Sequence, residues 1–346
     1  MPGPAQKIHI LGLGSIGTFV AHSLRCLPNP PPVTLLVHRK GLYEEYASRN
    51  GKISLQVGEQ GVPQEQHGFD FELMNASATS TEPIHNLIVG VKASATVSAL
   101  EPLKHRLGQR STICFFQNGM GQIDELNERV FKTHSTRPTY LTGIVRHGVY
   151  MKSPTEAVLS GVNGCIEIGV VPSKDSTSTP PQTQFLLDHL LRSCALRCTQ
   201  LEWVDLLLVQ LLKLATNCVL NPLTALLDVR NGEIKDNPAM MPLARRILEE
   251  ISLVFEHLPE LNALPRDPTR FSHFTLEKVM LDTVDKTAGN SSSMREDIRK
   301  GRATEIEYMN GWIVRQGTKL GIRCPTNDLV THLVLAKGSY KPSREP

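Results

Sequence analysis

The chain has 346 residues, a formal net charge of +3, and 40% hydrophobic and 21% charged residues. That length suits two domains with cores of their own, the composition is globular, and so small and scattered a charge argues against a nucleic-acid partner. Seven cysteines, an odd number, show no zinc spacing, and Cys194 and Cys198 have no histidine pair beside them; free thiols in a reducing compartment and no metal site are expected.

Lys7–Leu11 reads as a short buried strand. Gly12-Leu13-Gly14-Ser15-Ile16-Gly17 follows at once, and a helical pattern runs over Thr18–Arg25. Strand, glycines and helix come in the order of a dinucleotide fingerprint: Gly12 for the tight turn, Gly14 for backbone approach to a pyrophosphate, Gly17 for helix–strand packing. Because the strand begins so early, no secretory or transit peptide is expected ahead of it, which points to the cytoplasm or to an organelle entered without a cleaved signal. The next strand, Val33–Val37, ends in His38-Arg39-Lys40 where an NAD-selective fold usually carries a carboxylate. A basic tip suits a 2′-phosphate, and the planar fork of Arg39 suits it better than Lys40, so NADPH/NADP+ is the expected cofactor.

Asn86–Val91 and Ser111–Phe116 read as further buried strands. Lys92 ends one and Gln117-Asn118-Gly-Met-Gly121 the other, turns that should line a cofactor crevice. Stretches 143–150, 157–159 and 164–171 read as strands that extend the sheet antiparallel, and the Pro/Ser/Thr-rich run 172–182 as a loop without chemistry. Helical periodicity dominates from about residue 202. The expected architecture is an α/β Rossmann-type dinucleotide-binding domain over 1–203 and an all-α domain over 204–346.

The helical half opens on an apolar run that carries Lys213, Asn217 and Asn221 at steps of four. Such steps drift little around a helix, so the three side chains form one wall. Alone, the stripe fits a catalytic wall or the wet edge of an amphipathic helix. Asp205, Gln210, Lys213, Asn217, Asn221 and Pro222 interrupt 203–227, so no membrane span is expected. Further on, Ser293 and Glu296 have capping-box spacing, which marks a helix start that could also hold a substrate carboxylate. Glu305 and Asn310 read first as surface residues.

Taken together, Gly12-x-Gly14-x-x-Gly17, Asn118-Gly-Met-Gly121, Lys213-Leu-Ala-Thr-Asn217-Cys-Val-Leu-Asn221-Pro, Asn231-Gly-Glu233, and Ser292-Ser293-Met294 followed by Thr304-Glu305-Ile306 resemble the ketopantoate reductase family over most of the chain. The resemblance implies NADPH-dependent reduction of 2-dehydropantoate to (R)-pantoate, the step that feeds pantothenate and coenzyme A. It makes Lys213 and Glu305 the catalytic pair, places Asn217, Asn221, Asn231, Asn290 and Ser293 on the substrate, and adds Arg39, Lys92 and Asn118 to the glycine turn as cofactor residues. These roles are chemically sound. Hydride delivery to a ketone leaves an alkoxide, for which an ammonium supplies both proton and charge; a carboxylate at 305 would accept a bond from the substrate's primary hydroxyl and reject keto acids that lack one. Ala93-Ser-Ala-Thr-Val97 departs from the pattern by lacking a longer polar side chain three residues past Lys92, and 27–32 and 172–182 are additions on connecting segments. The other readings are a related NADP-dependent 2-keto acid or hydroxyacid oxidoreductase and a non-catalytic relative that keeps the fold. The expected partner is a small 2-keto acid, with neither nucleic acid nor membrane; a homodimer is compatible with this reading.

Overall fold

Continuous runs such as Ile8–Leu11 and Val33–Val37 are buried at every position, as strands covered on both faces of a parallel sheet must be. The computed structural model describes residues 6–74, 80–173 and 179–340; of the 172–182 loop, 174–178 lie outside them. Two compact units result, Met1–Gln117 with Asp124–Leu206, and Asn118–Ile123 with Leu207–Pro346.

Up to residue 206 the elements are β1 (Ile8–Leu11), α1 (Ser15–Arg25), β2 (Val33–Val37), α2 (Lys40–Ser48), β3 (Ile53–Val57), β4 (Gln64–Gln66), β5 (Asp70–Leu73), β6 (Asn86–Val89), α3 (Thr96–Leu100), β7 (Thr112–Phe115), α4 (Gln122–Arg129), β8 (Thr139–Val145), β9 (Val149–Ser153), β10 (Glu156–Leu159), β11 (Ile166–Val170), α5 (Pro181–Arg192) and β12 (Cys198–Gln200), with α6 (Trp203–Leu227) just begun. The main sheet has the order β12-β11-β8-β7-β6-β1-β2-β5. From β5 to β8 every pair is parallel; β11 pairs antiparallel to β8, and β12, parallel to β11, shares its reversed direction. The expectation for 143–150 is therefore corrected. β8 is buried almost throughout and joins the main sheet parallel to β7, whereas β9 alternates half-buried with exposed residues and belongs to a second sheet, β4-β3-β10-β9. Residues 157–159, expected in the main sheet, lie in the second sheet as well. That small sheet packs on α1: His22 Nε2 lies 2.9 Å from the Gln64 carbonyl, and Phe19 shares a core with Ile53, Leu55, Ala157 and Leu159.

Among the described residues the regular elements of the second unit are helices. It contains most of α6, then α7 (Glu233–Asp236), α8 (Met240–Glu256), α9 (His273–Thr287), α10 (Ser293–Arg299), α11 (Asn310–Leu320) and α12 (Pro325–Ser339). On α8, Ala244, Ile247, Leu248, Ile251, Val254 and Phe255 form one buried stripe at helical spacing. Gly321, at φ +72°, ends α11 in the left-handed conformation that favours glycine. By length and composition α6 could cross a membrane, and half of that span is buried within the protein.

Candidate active site

In the first unit the glycine turn shows two glycines demanded by packing and one that is not. Gly12 sits at φ +94°, and a Cβ there would lie 2.6 Å from Val91; a Cβ on Gly17 would collide with the Gly12 carbonyl oxygen. Gly14 has an ordinary φ of −83°, and a Cβ on it would meet nothing nearer than the Gly90 carbonyl at 4.0 Å. The fold itself therefore does not require glycine at 14, while a ligand that approaches the backbone there would. Gly14 is also the exposed N-cap of α1 and provides no side-chain cap, so the open N–H groups of that turn suit a pyrophosphate. Leu13 is buried, Ser15 and Ile16 half-buried.

Arg39, exposed just past β2, is the N-cap of α2, and His38 beside it is held below the usual imidazole range by desolvation and by the Arg39 charge. Lys92, half-buried, precedes a 3-10 turn at Ala93–Ala95. Gln117 Nε2 donates to the Val91 carbonyl and to Thr96 Oγ1, both at 2.7 Å. It thereby ties together the turns that follow β6 and β7, a polar link that the short side chain at Ala95 does not provide.

In the second unit Lys213 Nζ donates to Asn118 Oδ1 at 2.9 Å, a contact that spans 95 residues of sequence. Asn118 is held by its neighbours: Met120 N–H donates to the Tyr308 carbonyl at 2.8 Å, and Gly119, at φ +83°, lies so close to Tyr308 that a Cβ would clash with that same carbonyl. Asn217, half-buried, follows one turn along α6, and Asn221 after another, 7% exposed with Nδ2 3.4 Å from Met309 Sδ. These contacts tie α6, the turn 118–121 and residues 308 and 309 to one another. Glu305 is 9% exposed and Asn310 fully buried, which corrects the reading of both as surface residues.

The helix start at 293 also differs from the expectation. Ser292 is the N-cap of α10: its Oγ accepts from Arg295 N–H at 3.1 Å and lies 2.7 Å from Thr224 Oγ1 of α6. Ser293 is exposed, and Glu296 binds Ser291 Oγ at 2.7 Å rather than closing a capping box. The buried hydroxyl on α6 selects Ser292 from the three serines. Asn231 is buried; its N–H donates to the carbonyl of exposed Asn290 at 3.1 Å and its Nδ2 to Thr287 Oγ1 at 3.0 Å. Sequence reasoning missed Asp228. At φ +57° it takes Arg295 Nε at 2.9 Å and Arg299 Nε at 2.7 Å, so α10 is pinned to the end of α6. These guanidiniums, Arg299 first, hold its carboxyl below the usual range. Nothing in local spacing marks a partner 67 residues away.

Two family models cover most of the chain: Ketopantoate reductase PanE/ApbA over residues 8–173, and its C-terminal counterpart over 205–338. The chain belongs to the ketopantoate reductase family. As a ketopantoate reductase family member it is an oxidoreductase. A probable 2-dehydropantoate 2-reductase from Schizosaccharomyces pombe is 28% identical, covering 96% of each chain. A ketoisovalerate reductase from Gibberella fujikuroi is also 28% identical, over 91% of this chain and 79% of its own. Among solved structures, the probable 2-dehydropantoate 2-reductase of Bacillus subtilis is 26% identical with a TM-score of 0.69, covering 96% of this chain and 99% of its own.

Proposed function

We propose that this protein reduces 2-dehydropantoate to (R)-pantoate with NADPH, on the route to pantothenate and coenzyme A. The observation that carries the reading is the Lys213 ammonium held 2.9 Å from Asn118 Oδ1 on the wall that also bears Asn217 and Asn221. The Asn118 carboxamide oxygen orients the ammonium, a group that offers both a proton to give and a positive charge to set against the oxyanion formed at the former ketone. Asn217 and Asn221 donate to substrate oxygens and fix the carbonyl in one orientation. Asn231, Asn290 and Ser293 contribute to keto-acid binding, and Glu305 accepts from the substrate's primary hydroxyl.

Residues 1–203 hold the cofactor in this reading and 204–346 the substrate. A bound reduced nicotinamide supplies the hydride. Gly12, Leu13, Gly14, Ser15, Ile16 and Gly17 would hold the pyrophosphate, Arg39 the 2′-phosphate, with Lys92 and Asn118 completing the cofactor side. The absence of any packing reason for glycine at 14 supports this use of the turn.

The test is NADPH oxidation by the purified protein with 2-dehydropantoate beside 2-oxoisovalerate, pyruvate and oxaloacetate. The expected outcome is a kcat/KM for 2-dehydropantoate at least about a hundredfold above the others, the discrimination of a site built to bind a hydroxyl. A second reading, reduction of 2-oxoisovalerate, is favoured by the likeness to the Gibberella fujikuroi enzyme. Preference for 2-oxoisovalerate would replace the first reading with this one.

A further inference from the structure

Pro222 lies inside α6, one residue past Asn221. Proline has no N–H, so the carbonyl four residues earlier loses its helical donor, and the ring also crowds it. That carbonyl belongs to Cys218, between Asn217 and Asn221. A buried orphan carbonyl is rarely left unmet. Here Asn310 meets it: Nδ2 donates to the Cys218 carbonyl at 2.9 Å, from a side chain with no solvent exposure.

The orientation of that amide is set from further out. Glu250 Oε1 and Oε2 accept the N–H groups of Thr326 at 2.7 Å and Asn327 at 2.9 Å in the first turn of α12. Asn327 Nδ2 donates to Glu250 Oε2 at 2.7 Å and to the Ile247 carbonyl at 3.2 Å. With its amino group so committed, Asn327 turns Oδ1 toward Asn310, whose Nδ2 donates to it at 3.0 Å. Asn310 must therefore present nitrogen, and its other N–H falls on Cys218. Asn310 Oδ1 is left buried without a hydrogen-bond partner among the described residues, so the arrangement serves the donor and not the acceptor.

We infer that Asn310 is a positioning residue for the reaction: it replaces the helical bond that Pro222 removes, and so sets α6 at the Lys213–Asn217–Asn221 wall while anchoring the segment that carries Glu305. Met309, next to Asn310, lies on Asn221, and Tyr308 before it holds the turn of Asn118. Glu250 and Asn327 act through Asn310. The inference rests on reading that wall as the site of proton delivery.

A double-mutant cycle tests it, because Pro222→Ala returns an N–H to the Cys218 carbonyl and should make Asn310 dispensable. Asn310→Ala should lower kcat roughly ten- to a hundredfold, the cost of a slightly misplaced site, with NADPH affinity within about threefold of the parent. On the Pro222→Ala background the same substitution should cost less than about threefold. A cost of similar size on both backgrounds, or an unchanged kcat in Asn310→Ala, overturns the inference. If Asn310→Ala does not fold, Asn327→Ala enters the same cycle, and it removes the acceptor that orients Asn310. Recovery of soluble protein only alongside Pro222→Ala counts for the inference, and failure on both backgrounds against it. The cycle is run on whichever 2-keto acid the wild type reduces fastest, so a change of substrate assignment shows in the wild type alone and leaves the cycle readable.

Discussion

At the scale of single residues the reading turns on Lys213 and Glu305. Lys213→Ala removes the proton donor while α6 keeps its apolar face, so the variant should fold and bind NADPH, with turnover down roughly 10²–10⁴-fold. Steady-state kinetics beside a cofactor titration check this, and near-normal turnover would take Lys213 out of the mechanism. Glu305→Ala should act on selectivity instead. A charge-assisted hydrogen bond is worth about 1.5–3 kcal/mol, so the preference for 2-dehydropantoate over 2-oxoisovalerate in kcat/KM should shrink roughly ten- to a hundredfold. An equal loss on both substrates would mean that Glu305 shapes the site rather than reads the hydroxyl. The Lys213 stripe was visible because helical periodicity is local. The burial of Glu305 and Asn310 was not, because Asn310 is held by Cys218 and Asn327, 92 and 17 residues away in sequence. Ser292 was missed for a similar reason: three serines in a row are equivalent until Thr224 singles one out.

At the scale of elements, the strand–turn–helix at the N-terminus was legible, since an unbroken apolar run and fixed glycines need no distant partner. The second sheet was not. β4 is a polar edge of Gln-Glu-Gln, and the run 143–150 looks like one strand although it changes sheets between Val145 and Val149. β1 also carries a liability. His9, in register with Thr34 of β2 and Leu87 of β6, is 2% exposed, and its Nδ1 has no hydrogen-bond partner among the described residues. Desolvation first, then the charges of Arg106 and Lys7, push its pKa from 6.5 down to about 3. The folded state keeps His9 neutral where the unfolded chain would protonate it. Its contribution is therefore fully present above pH 6.5 and declines as pH falls from there toward 3, at up to about 1.4 kcal/mol per pH unit. Thermal unfolding across that range should show His9→Leu losing less stability on acidification than the wild type. Parallel curves would mean that His9 is not a source of the acid sensitivity.

At the scale of the whole molecule, a ligand that binds only the folded state must raise its stability, and the size of the rise measures affinity without any turnover. At a hundred times its dissociation constant NADPH should add about 2.7 kcal/mol. For a domain near two hundred residues this is roughly 5–10 °C in Tm at about 2–4 °C per kcal/mol. NADH lacks the 2′-phosphate, and the charge-assisted bonds from Arg39 that go with it are worth about 1.5–3 kcal/mol, so at equal concentration its shift should be much smaller. The lower end of that range is the better expectation, because Arg39 is exposed and water competes for the same phosphate. Arg39→Ala should then bring the NADPH shift down to the NADH value and leave the NADH shift where it was. Two controls follow from the same thermodynamics. Added salt should erode the NADPH advantage, since an exposed phosphate–guanidinium contact is screened, and Lys213→Ala should leave both shifts in place, since its charge acts on the ketone oxygen. Equal shifts for the two cofactors in the wild type, or equal losses in Arg39→Ala, would remove Arg39 from the 2′-phosphate and with it the case for NADPH over NADH.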